Sequence, residues 1–233
     1  TRKYNAWWLW WLEHHLNRLV FSRLLALAVG IGCVFFAFKY NKNALYETSG
    51  SIYGTYWKLV STEYIPDPII QSIKQELNRI DFIASNYKPS SELSIINAAP
   101  INTEIGISSD MYTILKFAED LHQLSNGYYD VTIGSLIIKE GFGPESSMAD
   151  NVIPVSKKRF DFLNNNSIIK NDNFQFDLSS IAKGYALDSI SNLLIKANRN
   201  NYLIDIGGEI IVNGSKHGEP WTVGIQSPSA MNN

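Results

Sequence analysis

Two kinds of apolar pattern divide the chain. Leu24 to Phe38 is uncharged and strongly apolar, and Leu19-Val-Phe-Ser22 extends it with only Arg23 between them. With the Arg23 guanidinium lifted to the headgroup layer, about 20 residues are available, the length of one bilayer crossing. Beyond this run the apolar residues are spaced. Ser51 to Thr62 alternates through Tyr53, Tyr56, Trp57, Leu59 and Val60 and predicts a strand. Asp67-Pro68 predicts a helix start, with Asp67 as cap and Pro68 at the first helical position. Ile69, Ile70, Ile73, Leu77, Ile80 and Ile83 then follow the helical period. A second helix is expected from about Ser109 to Asn126, with Met111, Ile114, Leu115, Ala118, Leu121 and Leu124 as its stripe and Gly127 as its stop.

Residues 84–106 read as a long polar loop, and 139–173 as loop-rich with a weak helix near 155–163. A third helix is expected after Asp177, and strands at about 202–206, 209–213 and 220–226, joined by Gly207-Gly208 and Asn213-Gly214. Helices and antiparallel-looking strands in separate runs predict an α+β fold. The expected division is an N-terminal segment, 1–45, ending in a polar linker near 39–49, and a globular domain, 46–233.

Composition narrows the classes. The chain has 233 residues, 45% hydrophobic and 18% charged, with net charge −2, which is globular and gives no reason to expect a nucleic-acid partner. One cysteine, Cys33, excludes an intrachain disulfide and a cysteine-based zinc cluster. The four histidines, His14, His15, His122 and His217, have no metal-ligand spacing, and His122 reads as structural. Trp7, Trp8, Trp10 and Trp11 precede the apolar run like an interfacial aromatic belt. Arg2, Lys3, Arg18 and Arg23 lie before it and Lys39 and Lys42 after, which places the N-terminal side in the cytoplasm and the domain in the periplasm or exterior. The favoured reading is an uncleaved anchor in the cell inner membrane. The rivals are a cleaved signal peptide and a buried core helix.

The candidate chemistry centres on Asp177-Leu-Ser-Ser-Ile-Ala-Lys-Gly-Tyr-Ala-Leu-Asp188. A carboxylate ahead of a helix N-terminus makes an anion or metal site, because free N–H groups and the helix dipole attract negative charge. Lys183 adds a mobile cation, and Asp177 or Asp188 can orient a hydroxyl, a ring nitrogen or a hydrated cation. The ordinary alternative is a strand–turn–helix with Ser179 or Ser180 as cap.

This segment resembles the Asp-Leu-x-x-Ile-Ala-Lys-Gly-Tyr-x-x-Asp signature of the ApbE-like FAD:protein FMN transferases. Four further stretches resemble that family in the same order: Gly50–Tyr56, Ser85–Asn97, Gly127–Leu136 with Gly141–Pro144, and Leu203–Glu209 with Trp221–Pro228. The resemblance covers about residues 50–228. It implies transfer of FMN from FAD to a Thr or Ser hydroxyl of an acceptor protein, with Mg²⁺ and with AMP leaving. The N-terminal run makes a membrane redox subunit a natural acceptor. Alternatives are an FAD-binding protein without transferase activity and a Mg²⁺-dependent FAD hydrolase giving FMN and AMP.

By the resemblance, Asp177 and Lys183 touch FAD and the main-chain carbonyl of Ser180 helps ligate magnesium. Tyr53 and Tyr87 are candidate walls for the flavin ring, Tyr53 standing where the family usually has Met. Tyr128, Tyr129 and Asp130 are candidates for hydrogen bonds to the cofactor, with a turn-capping aspartate as the plain alternative for Asp130. No catalytic residue is assigned. Relatives are often lipoproteins, which offers Cys33 as a lipidated cysteine, although the apolar Val34–Phe38 that follows argues against it. The family's His-x-x-Asp-Pro block and a metal-binding Asp with a nearby Thr follow the Trp-x-Val strand. This sequence starts at Thr1 and reaches Asn233 before either, so the expectation is a C-terminally incomplete fragment or a degenerate member.

Overall fold

A computed structural model describes residues 6–41, 44–144 and 159–225. It separates into two units, Thr1–Leu45 and Tyr46–Asn233. The first unit is one long helix, α1 (Ala6–Asn41). Within it Val20–Ala37 is long and apolar enough to cross a membrane, and none of that stretch is buried in the protein.

The second unit is α+β. A four-stranded antiparallel sheet has the order β1 (Tyr46–Ile52), β2 (Thr55–Ser61), β6 (Tyr202–Ile206), β7 (Glu209–Asn213). A three-stranded antiparallel sheet has the order β3 (Glu104–Gly106), β5 (Ser167–Lys170), β4 (Phe160–Asn164). The helices are α2 (Asp67–Ala84), α3 (Glu92–Ala98), α4 (Ser109–Leu124), α5 (Gly134–Lys139) and α6 (Ser179–Lys196).

Two cores result. Trp57, Leu59, Ile204 and Ile206 of the larger sheet bury against Ile73, Leu77 and Ile80 of α2 and Ile190 and Leu194 of α6. Phe160, Ile168, Phe174 and Phe176 bury against Leu93 and Ile96 of α3 and Met111, Ile114 and Leu115 of α4. Both α2 and α6 run through both cores: Ile83 and Ile181 belong to the second, Ile80 and Ile190 to the first. Each buried aliphatic or aromatic side chain contributes about 1.5–3 kcal/mol. Arg79 pins α2 to α4, forked onto Glu76 (Nε–Oε2 2.8 Å, Nη2–Oε1 2.8 Å) and onto Asp110 (Nη1–Oδ2 2.7 Å, Nη2–Oδ1 3.0 Å). From α6, the Tyr185 hydroxyl donates to Asp110 at 2.5 Å and Ser189 donates to Glu76.

Several expectations need correction. Ser51–Thr62 is not one strand: β1 starts at Tyr46, inside the expected linker, and Tyr53-Gly54 turns the chain with φ +53° and +71°. The small, polar Thr48-Ser49-Gly50-Ser51 hid β1, whose ladder is made by main-chain atoms. The cap of α2 is Pro66, without a side-chain bond, and Asp67 is already helical. The long polar loop contains α3, capped by Ser91 accepting from Ser94 N at 3.0 Å, and then β3. Where a weak helix was expected, residues 160–163 lie in β4, because Phe160 and Phe162 alternate at period two; 155–158 fall outside the described residues. Residues 220–225 join no ladder among the described residues. Trp221 instead donates its indole N–H to Asn213 O at the end of β7, at 3.2 Å.

Candidate functional site

The end of α2, the 85–88 turn, α5 with the chain after it, and the first two turns of α6 enclose a cleft of about 610 Å³. That is within the ~300–1,000 Å³ range of small-molecule sites. Ile80, Ile137, Ile138 and Phe142 form its apolar wall, and Asp81, Asn86, Lys88, Asp177, Ser179 and Lys183 its polar one.

Asp177 reaches the cleft because the residues before it are fixed. Phe174 and Phe176 are buried. The Asn97 carboxamide serves the Phe176 main chain as a strand would, with Nδ2 donating to Phe176 O at 3.0 Å and Phe176 N donating to Oδ1 at 2.7 Å. On the other side, Asp177 N donates to Val131 O at 2.8 Å and Gly134 N to Gln175 O at 2.9 Å. A Cβ on Gly134 would sit 2.7 Å from Gln175 O and 3.0 Å from the Phe176 carbonyl carbon, so only glycine permits this approach. Asn97 is itself held by Lys170, which is 1% exposed, donates from Nζ to Asn97 O at 3.0 Å and lies 5.2 Å from the Phe174 ring centre. Burial pushes the Lys170 ammonium below its ordinary range.

Asp177 is 9% exposed. Its Oδ1 accepts from Ser179 N at 2.9 Å and from the Ser179 hydroxyl, and its Oδ2 accepts from Asn86 Nδ2 at 2.8 Å. It therefore satisfies one of the orphan N–H groups at the start of α6 and ties the 85–88 turn to that helix. Neither Ser179 nor Ser180 is the cap: Leu178 holds that position without a side-chain bond, and both serines are helical.

Lys183 sits in the second turn of α6, and its Nζ is 2.7 Å from Glu209 Oε1. Glu209 follows the Gly207-Gly208 turn, with φ +58° and +95°, where a Cβ on Gly207 would lie 2.7 Å from Thr55 Cγ2. Lys88 is likewise paired, with Nζ 2.5 Å from Asp81 Oδ2.

Tyr53 lines the cleft and donates its hydroxyl to Leu77 O at 3.0 Å. Burial, reinforced by Asp81 and Glu76, pushes that hydroxyl well above the ordinary tyrosine range. Tyr87 lines the rim and is 70% exposed.

Tyr53, Tyr87, Asp177 and Lys183 thus share one cleft. Tyr128, Tyr129, Asp130 and Ser180 are not among its lining residues. Tyr128 is 96% exposed. Tyr129 shares a hydrogen bond between its hydroxyl and Ser180 Oγ at 3.0 Å, and its carbonyl faces His122 Nδ1 at 2.7 Å, which gives His122 a structural contact. Asp130 Oδ1 accepts from Thr132 N at 2.8 Å and Thr132 Oγ1 at 2.7 Å, the turn-capping arrangement. Asp188 is exposed on α6 and also lies outside the cleft lining. For a metal, Ser180 could offer its main-chain carbonyl. Among the described residues no group of three or more His, Cys, Asp or Glu comes together to complete such a site.

Sequence reading missed Asp81, Asn86 and Lys88 in the cleft lining, and Asn97 and Glu209, which bond to the lining residues Phe176 and Lys183. Asn97 closes the Ser85–Asn97 stretch and Glu209 follows the double glycine, but their partners lie far along the chain. Only Asp81 and Lys88 had a local signal, opposite charges flanking a helix end.

Residues 53–233 match the ApbE family. The chain is 33% identical over 174 residues to an FAD:protein FMN transferase of Haemophilus influenzae, covering 68% of this chain and 50% of that protein. It is 31% identical over 200 residues to the enzyme of that name from Vibrio cholerae, covering 78% and 58%. Among solved structures, the flavin transferase ApbE from Vibrio cholerae superposes with TM-score 0.71 at 28% identity, over 79% of this chain and 64% of that one. The chain spans about half the length of the curated relatives it matches. With a match over residues 53–233 and that shared fold, the chain belongs to the ApbE family.

Proposed function

We propose that this chain is the FAD-holding part of an FAD:protein FMN transferase. The observation that carries this is the single cleft in which Asp177 and Lys183, from the stretch resembling the family signature, stand beside Tyr53, Tyr87 and an apolar wall. An apolar wall with aromatic neighbours suits a flavin ring, and a helix N-terminus with a lysine suits a pyrophosphate. In the reaction the acceptor's Thr or Ser oxygen bonds to the phosphorus on the FMN side. The pyrophosphate bond to the AMP side breaks, AMP leaves and the hydroxyl proton is released.

Positioning and charge neutralisation dominate such transfers. Here Asp177 fixes the start of α6 against the 85–88 turn, and Lys183 supplies positive charge. Mg²⁺ would add neutralisation of the pyrophosphate. The described residues offer it the Ser180 carbonyl but not a full ligand set, so no step here depends on it. The apolar span Val20–Ala37, with more Arg and Lys before it than after, fits an inner-membrane anchor with the domain in the periplasm or exterior, and such an anchor would bring the domain close to membrane redox subunits as acceptors.

Chromatography of FAD incubated with the full chain and Mg²⁺, with and without a Thr- or Ser-bearing acceptor, tests this reading. Flavin bound covalently to the acceptor supports it. Free FMN and AMP would make the chain a hydrolase instead, and unchanged FAD with measurable binding would leave only the binder.

A further inference from the structure

Both lysines that line the cleft are engaged by carboxylates. Lys183 on α6 meets Glu209 at 2.7 Å, and Lys88 meets Asp81 at 2.5 Å. The two come from different elements, yet Asn86, two residues before Lys88, is bonded to Asp177 at the head of α6. The Lys88 turn and the Lys183 helix are thereby fixed to each other across one cavity.

We propose that Lys88 is a second phosphate-binding residue of this cleft, released from Asp81 when a pyrophosphate ester enters, as Lys183 is released from Glu209. This rests on the flavin reading above and specifies how the cleft selects a dinucleotide over an uncharged flavin. The Lys183 and Glu209 side chains are 29% and 38% exposed, a solvent-screened contact that is cheap to break, whereas Lys88 is 46% exposed but Asp81 only 13%, so a ligand must outcompete a partly buried carboxylate for Lys88. A pyrophosphate offers denser negative charge and more acceptor oxygens than one carboxylate, so exchange favours the ligand. Lysine, a point charge on a flexible stem, can swing between the two partners. The pairs therefore act in opposite directions: each lysine draws the ligand in, and each carboxylate competes with it.

The test is a flavin-fluorescence titration of the full chain in detergent with FAD and with riboflavin, which lacks phosphate. Lys88→Met is expected to weaken FAD about tenfold, the loss of one charge-assisted contact, and to leave riboflavin unchanged. Asp81→Asn is expected to tighten FAD, because Lys88 loses its competitor. FAD binding to the unmodified chain should weaken with added salt, and less steeply in Lys88→Met. Equal FAD affinity in Lys88→Met and the unmodified chain overturns the proposal, as does a parallel loss for FAD and riboflavin or weaker FAD binding by Asp81→Asn. An unmodified chain that binds no FAD overturns the flavin reading and this exchange together, whereas normal FAD binding beside an inert Lys88→Met overturns the exchange alone.

Discussion

Asn97 and Phe176, 79 positions apart, exchange two hydrogen bonds: Phe176 N donates to Asn97 Oδ1 at 2.7 Å and Asn97 Nδ2 donates to Phe176 O at 3.0 Å. One side chain thereby stands in for a neighbouring strand beside the residue that delivers Asp177 to the cleft. Asn97→Ala would leave both main-chain groups of a buried residue unpaired, at about 1–3 kcal/mol each. The expected outcome is a urea midpoint lowered with unchanged slope, together with weaker FAD binding. Asn97→Asp keeps one acceptor but loses the donor, and should fall between the two. A midpoint equal to that of the unmodified chain in Asn97→Ala would refute the bracing role.

Asp177 braces a helix start and lines the cleft at once, so its removal should act on both. Asp177→Ala should cost about 0.5–2 kcal/mol of stability, the range for losing a helix-terminal acceptor. It should also shrink the FAD-induced rise in melting temperature. Asp172→Ala, in a half-buried bend outside the cleft lining where the carboxylate meets the N–H of the next residue, should change neither. Thermal melts with and without FAD read both effects. A lowered apo melt with a full FAD shift would mean that Asp177 acts only as a brace.

Gly134 makes a purely steric case. A Cβ there meets main-chain atoms of Gln175 and Phe176, which cannot swing aside as a flexible side chain would. Gly134→Ala is expected to destabilise by about 1–3 kcal/mol, the usual cost of overpacking. Gly184→Ala, with open space around its Cβ, is the matched control and should be neutral or slightly stabilising. Equal melts for the two variants would contradict the close approach.

The Arg79 cluster sets a pH window at each end. Hydrogen bonds from Arg79 hold the Glu76 and Asp110 carboxyls below the usual carboxylate range. A depressed folded value gives stability that is fully present above the unfolded value, about 4, and is lost as pH falls through the folded one. At the alkaline end, burial and then Asp110 push the Tyr185 hydroxyl up to about 12. A raised folded value gives stability present below about 10 and lost as pH rises from there toward 12. Denaturation followed against pH should show both declines. Arg79→Met should be less stable near neutrality and flatten the acid one, and Tyr185→Phe should flatten the alkaline one.

Much of the fold was legible because its signals are local. The stripe from Ile73 to Ile83 gave α2, Met111 to Ala118 gave α4, and the turn glycines Gly207-Gly208 marked the β6–β7 hairpin. What failed lacks a local period. The strand β1 is small and polar, and α3 and α5, at 7 and 6 residues, are too short for a stripe to register. The same division holds at the cleft. Asp177 and Lys183, which line the cleft, stand in one contiguous stretch of sequence, whereas Asn97 and Glu209 reach lining residues only through partners brought near by folding. Polar and aromatic residues after a helix stop suit a cofactor contact and a turn equally well; Tyr128, Tyr129 and Asp130 lie outside the cleft lining, and Asp130 caps a turn.

The most direct measurement is a fluorescence titration of the full chain in detergent with FAD and with FMN, repeated for Lys183→Ala. On the proposed reading the apolar wall takes the flavin and the cleft lysines take the pyrophosphate, so FAD is expected to bind more tightly than FMN. Lys183→Ala should weaken FAD while the apo melt hardly moves, since a partly exposed ion pair contributes about 0–1 kcal/mol. Equal affinity for FAD and FMN, or an FAD affinity unaffected by loss of Lys183, would contradict a flavin-dinucleotide site at the head of α6.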